Sequence, residues 1–293
     1  MLYDRTIITG GGGMLAYALP AARARREVRP TVLDRAGLDV TDPQAIRDAF
    51  QQARPTLVLN CAAYTKVDLA EKEGARATAV NGDGPGHLAE ACREAGAKLV
   101  HYSTDYVFDG TLTRPLRPDD PVGPQSAYGR SKLLGEQAIR RAGGLDFLIL
   151  RTAWLYGANG PNFVQTMVKV AQAGKPLRVV NDQVGTPTYT GDLAAATLDL
   201  LDHGAAGVWH VTNSGQTTWF DFARAIFDEW KLSPQLDSTT SADWKSTRPD
   251  SAIRPAYSVL DVEPIEKLTG KPMRPWREAL AAYAREVEQR GAF

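Results

Sequence analysis

The stretch YGRSK places a tyrosine and a lysine four residues apart, Tyr128 and Lys132. On a helix, positions i and i+4 share one face. An ammonium beside a phenol favours the phenolate, which would lower the tyrosine pKa toward neutrality and let Tyr128 exchange a proton with a carbonyl or alcohol oxygen. By itself the pair is also what an ordinary amphipathic helix face looks like. A second stretch, STDYVFDG at 103–110, adds Thr104, a hydroxyl able to hydrogen-bond a substrate oxygen. Standing alone, a threonine at the end of a strand reads as a cap.

A third stretch, TIITGGGGMLAYAL at 6–19, offers G-x-x-G-x-x-A through Gly10, Gly13 and Ala16. Gly10 suits a tight turn, Gly13 lets backbone approach a pyrophosphate, and Ala16 is small enough for a helix to pack closely on a strand. The N–H groups at the helix start, around Met14 and Leu15, then face phosphates. A P-loop needs G-K-[ST] after the glycines; Met14 and Leu15 exclude it. Asp34 and Arg35 end the next apolar run. An acidic residue there suits a ribose diol and an arginine suits a 2′-phosphate, so NADH and NADPH both stay open, with a lean to NADPH. Asp39, with Val40 beside it, is a candidate for the adenine ring, or else a turn aspartate.

These residues need a frame that brings them together. Short apolar runs at 5–10, 30–35, 55–63, 97–104 and 146–152 alternate with helical stretches at roughly 13–26, 43–53, 75–95 and 131–142. Thr41 or Asp42 caps the second helix before Pro43, and NGDGPG interrupts the third. Such alternation predicts an α/β fold: a Rossmann-like doubly wound parallel sheet, covered on both faces, with a smaller C-terminal α/β substrate-binding domain. Ligands on such sheets lie beyond the carboxyl ends of the strands, where all three stretches fall. Residues 1–152 form the expected dinucleotide-binding domain, with segments at roughly 176–213 returning to it. Residues 153–175 and 214–293 form mainly the smaller domain, loop-rich over 231–257.

The whole composition narrows the classes. The 293 residues are enough for a large core, and 34 basic against 34 acidic side chains leave no net field for nucleic acid or an anionic membrane. Two cysteines, Cys61 and Cys92, make no disulfide framework and read as small core residues. No targeting pattern or membrane-length apolar run is visible, so a soluble cytoplasmic protein is expected. No His/Cys/Asp cluster suggests a catalytic metal, and hydride transfer needs none.

Taken together, TGGGGMLA, LDVTD, NCAAYTKVDLAE, STDYVFDG, YGRSKLLGE, RTAWLYG, VVNDQVGTPT and RPAYSVLD span nearly the whole chain. With them the sequence resembles the extended short-chain dehydrogenases/reductases, and among those the dTDP-4-dehydrorhamnose reductase family. The resemblance implies that Ala62, Ala63, Tyr64 and Tyr102 line the nicotinamide cofactor, with Tyr128 and Lys132 at its ribose. It implies that Thr65, Val67, Thr104, Asp105, Tyr128 and Trp154 contact a dTDP-sugar, and that Asn181, Gln183 and Thr186–Thr188 shape a deoxythymidine pocket. Tyr156 divides evenly between that role and core packing. Some relatives carry a glutamate early in the first helix that helps bind an intersubunit magnesium; Leu15, Ala16 and Tyr17 stand there instead, which argues against a metal-bridged dimer. The implied activity is NAD(P)H-dependent reduction of a dTDP-4-keto-6-deoxy sugar at C4, by a monomer or homodimer. The alternatives are another ketone of that class, or a non-catalytic dinucleotide-binding subunit similar to that of methionine adenosyltransferase.

Overall fold

The computed structural model describes residues 3–24 and 29–291. Its centre is a six-stranded parallel sheet of β1 (Thr6–Thr9), β2 (Thr31–Leu33), β3 (Leu57–Asn60), β4 (Lys98–Thr104), β5 (Phe147–Thr152) and β6 (Gly207–His210). The strands lie in the order β6-β5-β4-β3-β1-β2, so the order reverses between β1 and β3. That reversal opens a crevice at the carboxyl edge.

Successive residues of a strand point to opposite faces, and in β1, β3, β4 and β5 both faces are buried, while the edge strand β2 is partly exposed. Ile8, Leu57, Leu59, Val100, Leu148 and Leu150 pack under α1 (Met14–Ala24) and a later helix, Thr190–Asp202. Ile7, Val58, Leu99 and Ile149 meet α2 (Pro43–Ala53), α3 (Gly84–Ala95) and α4 (Ala127–Arg141) on the other side. This is why the strands read as unbroken apolar runs. Asp42 caps α2, accepting from the N–H groups of Gln44 (2.8 Å) and Ala45 (3.3 Å). The helix expected over 13–26 is described as far as Ala24, and 25–28 lie outside the described residues.

The interruption NGDGPG is not a break. Gly74–Thr78 runs through a π-helical turn, Ala79–Asp83, directly into α3. Helices α5 (Phe163–Gln172), α6 (Thr190–Asp202), α7 (Trp219–Glu229) and α8 (Trp276–Gln289) follow. A second core gathers Tyr156, Val164, Phe222, Trp276 and Tyr283 around α5, α7 and α8.

Two expectations about this half need correction. The chain returns to the central sheet later than residue 176: Leu177–Val180 pairs in parallel with Leu236–Thr239 beside the second core, and the return begins with α6 and ends in β6. The stretch 231–257 also holds that strand and a helix, Ser241–Thr247. Its polar, Ser- and Thr-rich sequence hid both, because the strand rests on one neighbour and the helix buries no side chain. No described helix is long and apolar enough to cross a membrane.

Candidate active site

A cavity of about 850 Å³ follows the carboxyl edge of the sheet, joined to a smaller one of about 210 Å³ through shared walls at Gly10, Arg35, Ala62 and Ala63. Each strand from β1 to β5 sends its following loop into this space, as the switch-point rule requires.

The glycine turn forms one end. Gly10 has φ of 68°, and a Cβ there would sit 2.7 Å from the backbone of Cys61 and Ala62. Only glycine lets the turn lie against the loop after β3. Gly12 lines the cavity together with Gly13, Met14 and Leu15, and a Cβ on it would meet nothing within 4 Å. The first N–H groups of α1 are here, so the turn fits a phosphate group. Asp34 and Arg35 line the large cavity; Asp39, Val40 and Tyr64 line the small one with Arg76. Arg35 pairs with Asp39 at 3.1 Å, and Arg76 with Glu73 at 3.2 Å. Asp39 also accepts from the Thr41 hydroxyl at 2.7 Å, so it shapes its own turn as well as the wall.

At the other end stand Thr65, Val67, Tyr102, Thr104, Asp105, Tyr128, Lys132 and Trp154. Ser126 caps α4 by accepting from the Gly129 N–H at 3.1 Å, which places Tyr128 in the first turn. A Cβ on Gly129 would lie 2.3 Å from the Tyr106 carbonyl oxygen. The bare glycine therefore brings α4 onto the 104–107 segment, where Tyr106 and Tyr128 meet edge to face at 5.5 Å. Thr104 donates to Asp105 Oδ1 at 3.0 Å and accepts from the Tyr106 N–H at 3.2 Å. Burial pushes the Tyr128 phenol up to about 12, the Thr104 hydroxyl acting in the opposite sense. Burial likewise pushes the Asp105 carboxyl up to about 6 and the Lys132 ammonium down to about 8.

The expected lowering of the Tyr128 pKa is thus not found in the protein alone. Lys132 sits on the right helix face, but its amine donates to the Tyr102 carbonyl at 2.7 Å and lies 3.2 Å from His101 Nε2. Desolvation of the phenol outweighs the influence of a cation engaged elsewhere. Tyr102 contributes its backbone on this side; its hydroxyl donates to Thr197 on the opposite face of the sheet. Two buried polar atoms of the cavity wall, Asp105 Oδ2 and Thr152 Oγ1, have no hydrogen-bond partner among the described residues. A buried polar atom of this kind calls for a water, an ion or a ligand group as its partner.

Other expectations divide. Tyr156 is 1% exposed in the second core, so packing is its role. Asn181, Gln183 and Thr186–Thr188 do not line the cavity; Gln183 donates to Ser241 and Thr186 to the Gly215 carbonyl. Cys61 lines the cavity, whereas Cys92 is in the core as expected, and both are free thiols. Among the described residues no three His, Cys, Asp or Glu side chains gather as a metal site.

Several participants were missed. Asn81, fully buried in the π-turn, accepts from the Tyr64 N–H (2.8 Å) and donates to the Tyr64 carbonyl and Ser131 (3.0 Å each), so it holds the loop that forms the cavity wall. A lone asparagine before two glycines inside a helical pattern was its only sign; π-turns favour functional sites. Trp219 and Phe163 line the far end.

The sequence matches the family described as RmlD substrate binding domain over residues 4–289. The chain belongs to this family. A family member from Streptomyces griseus, a dTDP-4-dehydrorhamnose reductase, is 45% identical over 94% of this chain and 91% of its own. A dTDP-4-keto-6-deoxy-D-glucose reductase from Streptomyces niveus is 40% identical over 94% and 95%. The crystal structure of dTDP-4-dehydrorhamnose reductase from Bacillus anthracis, in complex with NADP, superposes with a TM-score of 0.91 at 35% identity, covering 98% of this chain and all of that one. The RmlD substrate binding domain family is therefore met in sequence and in fold, over nearly the full length of each chain.

Proposed function

We propose that this protein is an NAD(P)H-dependent reductase of the C4 ketone of dTDP-4-dehydro-β-L-rhamnose, forming dTDP-L-rhamnose for cell-surface polysaccharide in the cytoplasm. The observation that carries this reading is one continuous space with a phosphate-fitting glycine turn at one end and Thr104, Asp105, Tyr128 and Lys132 at the other.

Gly10, Gly12, Gly13 and the start of α1 hold the pyrophosphate, Arg35 and Arg76 flank the adenosine ribose, and Asp39, Val40 and Tyr64 border the adenine. Ala62, Ala63 and the Tyr102 backbone line the rest of the cofactor, with Lys132 and Tyr128 at the nicotinamide ribose. When bound, the reduced nicotinamide supplies a hydride to the ketone carbon. Tyr128 donates its proton to the forming alkoxide, and a phenol kept protonated by burial is in the right state to do so. Thr104 orients the C4 oxygen. Asp105 Oδ2 accepts from a sugar hydroxyl, and Thr65, Val67 and Trp154 border the sugar. Lys132 restores charge balance beside Tyr128 once its proton has left.

The test is oxidation of NADPH and of NADH, followed by nicotinamide absorbance, with enzymatically made dTDP-4-dehydro-β-L-rhamnose. Turnover of this ketone in preference to other dTDP-keto-sugars supports the reading. The 40% relative named for a D-glucose-configured ketone favours a second reading, in which that epimer is the substrate; rates with the two ketones side by side decide. Absence of turnover with either would leave a binding role similar to the methionine adenosyltransferase subunit, against which the complete Tyr128–Lys132–Thr104 set argues.

A further inference from the structure

Four buried polar side chains form a row across the sheet. Thr9 is the register partner of Asn60, and Asn60 of His101. All three fall on the face that α4 covers, so the row runs into Lys132. Thr9 Oγ1 donates to Asn60 Oδ1 at 2.7 Å, Asn60 Nδ2 lies 3.0 Å from His101 Nδ1, and His101 Nε2 lies 3.2 Å from Lys132 Nζ. None of the four is more than 1% exposed. One end of the row touches the glycine turn, since Thr9 precedes Gly10. The other end touches the centre where Tyr128 works.

The donors and acceptors of this row are linked. The Ala62 N–H reaches both Asn60 Oδ1 and Thr9 Oγ1 at 3.2 Å. With Oδ1 turned that way, the Asn60 NH₂ donates to His101 Nδ1, and the imidazole proton must sit on Nε2. An N–H then faces Lys132, which accepts it only as a neutral amine. An ammonium at Lys132 requires the other tautomer, with Nε2 accepting and Nδ1–H donating to a reversed Asn60 amide. Thr9 Oγ1 then accepts from the Asn60 NH₂ and from Ala62. In either arrangement the Lys132 amine and both nitrogens of the His101 ring keep a hydrogen bond.

We infer that His101 is a positioning residue for Lys132, keeping its amine hydrogen-bonded in both protonation states by changing tautomer together with the Asn60 amide. This rests on the reading of Lys132 as the partner of Tyr128. The titratable groups acting on the row are Glu136 on α4 and Cys61 after β3, with Arg151 on β5 behind Glu136. Glu136 is held by Arg151 (2.8 Å) and Ser103 (2.5 Å). Burial and the Lys132 charge hold the His101 imidazole well below its usual pKa, so it stays neutral while it switches.

The native protein, labelled with ¹⁵N-histidine and with His101 assigned through His101→Gln, reads this directly. Between about pH 6 and 10 the protonated and unprotonated ¹⁵N signals of His101 exchange places with one midpoint, and Lys132→Met abolishes the change. A single tautomer across that range overturns the inference. In turnover, His101→Phe lowers kcat about tenfold and moves the alkaline limb of the kcat–pH profile down by about one unit, with KM for the sugar changed by less than about twofold. His101→Gln, which keeps a donor and an acceptor, restores most of kcat. A folded His101→Phe protein whose profile superimposes on the parent's overturns the inference too. If the Phe variant does not fold, the NMR arm decides alone. The same arm needs no substrate, so a tautomer change in a protein that turns over no keto-sugar would retain the row and remove only the reductase reading.

Discussion

Trp154 lies face to face with Trp219, their ring centroids 3.7 Å apart and their planes 11° from parallel. Trp154 follows β5 and adopts φ of 45°, a left-handed conformation that costs a bulky residue about 1 kcal/mol or more. Trp219 opens α7 on the second core, and Phe163 leans on it at 4.6 Å. Both rings pack against the second core, and the stack offsets the strained backbone at the cavity's far end. Trp219→Ala is expected to raise KM for the sugar nucleotide about tenfold while changing KM for NADPH by less than about twofold. Equal losses for both ligands in steady-state assays would mean that the stack only supports the fold.

Arg35 and Arg76 both border the smaller cavity, where a 2′-phosphate would lie. Each is now paired to a carboxylate that a phosphate could displace. Arg35→Ala is expected to raise KM for NADPH about tenfold and leave that for NADH nearly unchanged, because one charge-assisted contact is worth about 1.5 kcal/mol. An equal effect on both coenzymes in parallel titrations would place Arg35 at the diol or outside recognition.

The Asp105 carboxyl carries a pH signature. Burial raises its folded pKa to about 6, above the ordinary 3.8 of a free aspartate. The folded state therefore binds the extra proton between those values, and stability falls as pH rises from about 4 to 6, then stays lower. Asp105→Asn is expected to gain on the order of 2–3 kcal/mol relative to the parent at pH 8 and little at pH 4, while losing activity with the acceptor Oδ2. Denaturation at the two pH values checks this. A variant with the same pH dependence as the parent would remove Asp105 as its source.

The frame was legible because it depends on local rules, and so was the placing of Thr104, Tyr128 and Lys132 at one cavity. Unbroken apolar runs marked strands buried on both faces, and each motif followed a strand end. What escaped was set by contacts distant in sequence. His101 reads as one polar residue in an apolar strand, and only the register with Asn60 and the crossing of α4 give it partners. Asn81 looked like part of a helix break, yet it fastens the Tyr64 loop from within a π-turn. Lys132 shares the helix face of Tyr128, but the Tyr102 carbonyl and the His101 ring, both on β4, decide where its amine points. Strand Leu236–Thr239 lacked alternation because a single neighbour suffices to seat it.

The most direct measurement concerns Tyr128, the proposed proton donor. Tyr128→Phe keeps the ring and its edge-to-face contact with Tyr106 and removes only the hydroxyl. Single-turnover oxidation of bound NADPH by dTDP-4-dehydro-β-L-rhamnose, alongside a fluorescence titration of NADPH, separates chemistry from binding. The account predicts a fall of about 10²–10⁴-fold in the rate with cofactor affinity within about twofold of the parent. A Phe variant that reduces the ketone at the parent's rate would contradict it.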